Sequence, residues 1–115
     1  MPLAEQKCKP CREGEPPLSR KEARAMAVQT PDWTLKDNGI ERTFKFQDFR
    51  ESMRFVNGVA ELAESEGHHP DIHVYYNNVR LELSTHKIGG LSKNDFILAA
   101  KIDRILVSPL YSPST

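Results

Sequence analysis

A change of hydrophobic period midway along the chain constrains the fold more than any other feature. From Asp48 to Glu66, Phe49, Met53, Val56, Ala60 and Ala63 form one stripe, widened by Phe55, Val59 and Leu62. That is the spacing of an amphipathic helix. Gly67 follows and suits a left-handed helix stop. Beyond it the period drops to two: Ile72, Val74 and Tyr76, then Val79, Leu81 and Leu83, on either side of Asn77-Asn78. Two alternating runs about a turn predict a β-hairpin. A chain of 115 residues has room for one core, so helix and hairpin belong to a single domain.

The flanking segments complete the pattern. Ser19-Arg20-Lys21-Glu22 has the form of a capping box, and Ala23, Met26 and Ala27 follow at helical spacing until Pro31 stops the helix. Trp33 and Leu35 alternate with polar neighbours up to Asp37-Asn38-Gly39, whose chemistry tolerates positive φ. Ile40, Phe44 and Phe46 continue the alternation as a first hairpin. Ser92-Lys93-Asn94-Asp95 reads as another helix start, with an apolar helix from Phe96 to Leu106. The order is α-β-β-α-β-β-α, an α+β fold with a four-stranded, largely antiparallel sheet and three helices packed on one face. Residues 1–18, with four of the eight prolines, form an irregular arm; residues 19–108 form the domain; residues 109–115 form a loose tail. The run Phe96 to Ala100 is wider than one helix face, and such surplus apolar surface suggests cover by a partner subunit.

Charge and composition narrow the function. Sixteen basic residues balance sixteen acidic ones, which argues against a chain held on nucleic acid by counterion release. No stretch approaches the ~20 apolar residues of a membrane span and no basic-then-apolar leader is present, so a cytoplasmic chain with no membrane partner is expected. Cys8 and Cys11 supply only half of a tetrahedral zinc site, and their Pro-rich setting lacks the strand and helix of a thioredoxin-type motif.

The residues that carry chemistry are histidines. All four lie between positions 68 and 86: His68-His69-Pro70, His73 and His86. In a hairpin turning at Asn77-Asn78, a residue about nine before the turn lies near one about nine after it, so His68, His69 and His86 converge. Asp95 stands in the first turn of the last helix, and His73 reads as a surface bystander. Paired imidazoles divide naturally into proton donor and acceptor. No Gly-rich phosphate loop and no G-x-S-x-G elbow is present, so proton transfer without a covalent intermediate matches these residues best. A structural turn at His-His-Pro and a zinc site built with Asp95 remain alternatives, and Trp33 reads as core or as a ligand platform.

Glu64-Ser65-Glu66-Gly67-His68-His69-Pro70, Tyr76-Asn77 with Val79, Leu83-Ser84-Thr85-His86 and Gly90-Leu91-Ser92 with Asp95 together resemble the pterin-4a-carbinolamine dehydratases. These are also known as dimerisation cofactors of a homeodomain transcription factor. The resemblance spans about Leu18 to Leu106, and the Pro-rich arm with its C-x-x-C looks like bacterial members. It implies the fold derived above, a homodimer or homotetramer, and a pterin substrate. The implied activity is dehydration of 4a-hydroxytetrahydropterin left by aromatic amino-acid hydroxylases, without metal or organic cofactor. By resemblance His68, His69, His86 and Asp95 are catalytic, while Glu64 and Trp33 shape the site. The family also includes members that act in transcription or protein assembly, so a non-catalytic binding module is the alternative. Gly67 replaces a residue often acidic in animal enzymes, and Ile72 and His73 replace aromatic ones.

Overall fold

Ser19 caps a helix, as the sequence predicts. Its hydroxyl accepts from the Glu22 backbone N–H and the Glu22 carboxylate accepts from the Ser19 N–H, a closed capping box at the head of α1 (Arg20–Ala27). In this computed structural model, which describes residues 2–12 and 14–106, α1 is followed by β1 (Thr34–Leu35), β2 (Ile40–Lys45) and α2 (Phe49–Glu66). Then come β3 (Asp71–Tyr75), β4 (Asn78–Leu83) and α3 (Lys93–Leu106). The predicted order and the α+β class are both present. The tail at 109–115 lies outside the described residues.

The sheet runs β1-β2-β4-β3 and every pairing is antiparallel. Ile40 and Phe44 of β2 and Val79, Leu81 and Leu83 of β4 are buried, and the alternate residues of those strands are more exposed. Phe55 of α2 packs its ring against Phe44 and Phe46, with centroids 4.7 and 5.1 Å apart. Ring contacts of this kind contribute beyond the area they bury. No helix among the described residues is long and apolar enough to cross a membrane.

Four details differ from the sequence reading, each for a physical reason. The buried line of α2 is Ser52, Phe55, Val59 and Ala63, whereas Phe49 is half exposed and Ala60 faces solvent. Apolar residues cover about half of this helix's circumference, and the aromatic cluster under Phe55 selects which part of that band turns inward. The second hairpin turns at Tyr76-Asn77, one residue early, because Tyr75 pairs with Asn78; Tyr76 takes a left-handed φ of 52°. Gly39 does not have a positive φ. It is needed for close approach, since a Cβ there would stand 2.8 Å from the Leu83 carbonyl oxygen. Finally, Phe96, Ile97, Leu98 and Ala99 are buried by the chain itself, since the arm begins with a helical turn, Leu3–Glu5, that packs Leu3 against α3.

Trp33 is a core residue, 5% exposed, set edge-on to Phe44. Its indole N–H donates to Asp103 at 2.9 Å, and the Arg42 guanidinium reaches the same carboxylate at 2.7 Å. Burial nevertheless pushes the Asp103 carboxyl above its ordinary value, against the lowering effect of the indole and the guanidinium.

Candidate active site

Asp95 is the centre of the site and has no exposed surface. It occupies the third position of α3, where a carboxylate reaches back to the helix start. Its Oδ2 accepts from the Ser92 N–H at 2.9 Å and from the Thr85 hydroxyl at 2.9 Å. Thr85 and Ser92 hydroxyls are themselves 2.8 Å apart. The other oxygen, Oδ1, lies 2.5 Å from His68 Nε2. A carboxylate only accepts, so with Asp95 ionised the proton of this bond belongs to Nε2. In the neutral ring that leaves Nδ1 as the acceptor.

His68 follows the left-handed stop of α2 at Gly67 (φ 66°), and its N–H closes onto the Ala63 carbonyl at 3.2 Å. His69 is exposed, and its Nε2 pairs with the Glu64 carboxylate one helical turn earlier. His86 begins a single helical turn, His86–Ile88, pinched off by the Thr85–Gly90 bridge. Among the described residues, no hydrogen-bond partner engages its ring. His68, His69 and His86 all line one open cleft of about 430 Å³, within the usual range for small-ligand sites. The cleft thus has three imidazoles on its border, with Asp95 behind His68 and outside the lining. Glu64 stands beside His69. Trp33 does not line this cleft, and His73 lies 3.1 Å from Glu82 beside Arg80 on β4.

Sequence reasoning missed the other side of the cleft. Cys8, Lys9, Pro10 and Cys11 of the arm line it, together with Asn94. The Cys8 N–H donates to Glu66 Oε1 at 2.9 Å, and Lys101 holds the other Glu66 oxygen at 3.0 Å. Burial opposes charge on Glu66, but the Cys8 N–H and the Lys101 ammonium together hold its carboxyl below the ordinary carboxylate range. Burial, aided by that carboxylate, pushes the Cys8 thiol up to about 12. Thr85 and Ser92 were missed as well, although the S-x-x-D spacing before α3 already tied Ser92 to Asp95. No three His, Cys, Asp or Glu side chains converge as metal ligands among the described residues.

Residues 16–105 match the sequence model of the family described as pterin 4 alpha carbinolamine dehydratase. This chain belongs to that family. A Nitrosomonas eutropha protein named after the dehydratase is 52% identical over 107 residues, covering 92% of this chain and 95% of its own. A Methylococcus capsulatus protein of the same name is 48% identical, over 90% and 92% of the two chains. The crystal structure of a transcriptional coactivator/pterin dehydratase from Brucella melitensis superposes with a TM-score of 0.74 at 31% identity, covering 77% of this chain and 97% of that one. A pterin dehydratase-like RuBisCO assembly factor of the alpha-carboxysome shares the fold at 22% identity and a TM-score of 0.53. The dehydratase match thus spans both histidine segments and α3, and includes every residue of the Asp95 network.

Proposed function

We propose that this protein dehydrates 4a-hydroxytetrahydropterin to quinonoid dihydropterin and water, returning the pterin for reduction in tetrahydrobiopterin recycling. The C4a–O bond breaks and the departing oxygen takes a proton. N5 gives up its proton, and its electrons form the C4a–N5 double bond. One acid and one base are sufficient, and imidazole side chains can serve as either. What carries the reading is the buried Asp95 paired with His68, whose ring opens on the same cleft as His69 and His86.

Asp95 orients His68 with its Nδ1 lone pair free, which suits it to receive the N5 proton. His69 and His86, which border the cleft without burial, serve the departing hydroxyl. Each transfer is worth about 10²–10⁴-fold. The working unit is a homodimer or homotetramer, to be read by sedimentation. The free edge of β3, beside the exposed Tyr75 and Tyr76, supports that association.

The test is the loss of the 4a-hydroxypterin ultraviolet signal. Wild-type protein should speed it, and His69→Ala and His86→Ala should abolish most of the acceleration while circular dichroism is unchanged. A wild-type rate no faster than buffer overturns the proposal. A complex with a protein partner that survives substitution of all three histidines would favour the binding-module reading, which the coactivator and assembly-factor names of the two structural relatives motivate.

A further inference from the structure

We infer that the N-terminal arm is a wall of the pterin cleft, and that Asn94 is the positioning residue that fixes it there. This rests on the dehydratase reading of the histidine site and adds a substrate-binding element to it. The arm is anchored at three places. Leu3 is buried, 3% exposed, and its N–H meets the Gln29 side chain at 3.3 Å. At the other end, the Leu18 N–H donates to the Leu91 carbonyl at 2.8 Å, and Pro17 lies so close to Gly90 that a Cβ there would come within 2.8 Å of it.

The middle anchor faces the cleft. Asn94 Oδ1 accepts from the Lys9 N–H at 2.9 Å, and its Nδ2 donates to the Lys9 carbonyl at 2.5 Å. One amide thus satisfies both backbone groups of Lys9, as a neighbouring strand would. The Asn94 backbone carbonyl takes the Cys8 thiol at 3.6 Å, and its Nδ2 also reaches Cys11 Sγ at 3.6 Å. Glu66 holds the Cys8 N–H, so α2 and α3 grip the same stretch of arm.

That grip has a direction. Asn94 and Asp95 are consecutive residues in the first turn of α3, one holding the arm and the other holding His68. The imidazoles and the arm therefore border one cleft from elements tied to the same helical turn. A flat bicyclic ring entering it meets acid–base groups on one side and Lys9, Pro10 and Cys11 on the other. The reaction needs one acid and one base, which the histidines provide, so none is asked of the arm. Its contribution is to binding, and a prepositioned wall lowers the cost of ordering the complex.

Cys11 makes the wall observable. In the full-length protein at pH 8, iodoacetamide should label Cys11 in preference to Cys8, whose thiol is pushed up to about 12 by burial beside Glu66. Peptide mass spectrometry reads the two sites separately. Saturating 7,8-dihydrobiopterin, a pterin without the 4a hydroxyl, should slow Cys11 alkylation by about five-fold or more, because a pocket buries most of its ligand's surface against the residues that line it. An unchanged rate while calorimetry shows the pterin bound overturns the arm as a wall and leaves the dehydratase reading intact. No binding by calorimetry overturns both.

A second measurement reads Asn94. Asn94→Ala should raise KM about ten-fold with kcat held within about two-fold, the change expected for losing two hydrogen bonds that act only on binding. Asn94→Asp, which keeps the acceptor and loses the donor, should fall between. A KM equal to wild type in folded Asn94→Ala, or a loss confined to kcat, overturns the positioning role.

Discussion

Replacing Asp95 by asparagine tests the site most sharply, because size is kept while hydrogen-bond direction is not. In the native chain Oδ2 receives two donors, the Ser92 N–H and the Thr85 hydroxyl, and Oδ1 faces His68 Nε2. An asparagine with its NH₂ toward Ser92 would set two donors against each other and leave a buried N–H unpaired, at a cost of about 1–3 kcal/mol. The amide therefore turns its oxygen to Ser92 and Thr85 and its NH₂ to His68. Nε2 must then accept, so the ring proton moves to Nδ1 and the cleft loses its base. Losing one proton-transfer group predicts a fall in kcat of about 10²–10⁴-fold. Bonds to a carboxylate are worth about 1.5–3 kcal/mol against about 1 for neutral ones, and relief of a buried charge offsets part of the difference. Stability should drop by only about 1–3 kcal/mol, within the 5–15 kcal/mol of a typical domain. Stopped-flow dehydration gives the rate, urea titration the stability, and ¹⁵N ring shifts the tautomer. A folded Asp95→Asn protein that keeps its rate within about two-fold, or whose His68 retains the Nε2 proton, refutes the reasoning.

Three other outcomes follow from the packing and the charges. Phe55→Ala, at a ring with no exposure and two aromatic neighbours, should cost about 3–5 kcal/mol by urea denaturation. Asp103, whose carboxyl burial raises, binds its proton more tightly folded than unfolded. Its contribution to stability therefore falls as pH rises from the unfolded value, about 4, through the folded one. Wild type should lose stability relative to Asp103→Asn over that window, and a relative gain would contradict it. Glu66 has the opposite sign: its lowered carboxyl contributes stability above the unfolded value, lost as pH falls through the folded one. Acidification should free the arm and expose Cys8 to 4,4′-dithiodipyridine, which reacts at low pH; Cys8 accessibility that stays flat across that range would exclude Glu66 as its latch.

What could be read from the sequence was local or periodic. Ser19 and Glu22 announce a helix start, Gly67 a stop, and the two alternating runs a hairpin, because each depends on residues within a few positions. The gathering of His68, His69 and His86 on one cleft was reachable too, since counting outward from a hairpin turn locates its open end. The Tyr76-Asn77 turn was not, because Asn77-Asn78 has the stronger turn chemistry and only the pairing of Tyr75 with Asn78 decides the offset. The arm was out of reach for a plainer reason. Lys9 and Asn94 are 85 positions apart, and an amide gripping a backbone leaves no periodic trace. The rotated face of α2 was hidden by abundance, since an apolar band wider than one face leaves the choice to tertiary contacts with Phe44 and Phe46.

The first turn of α3 carries two loads at once. Asn94 ties down residues from one end of the chain while Asp95, its neighbour, aims an imidazole from the middle. Helix ends are the parts that open most readily by local unfolding. Fraying of this turn would let go of the arm and the histidine together. Hydrogen exchange at Asn94 and Asp95 would report any opening that frees Lys9 and His68 together.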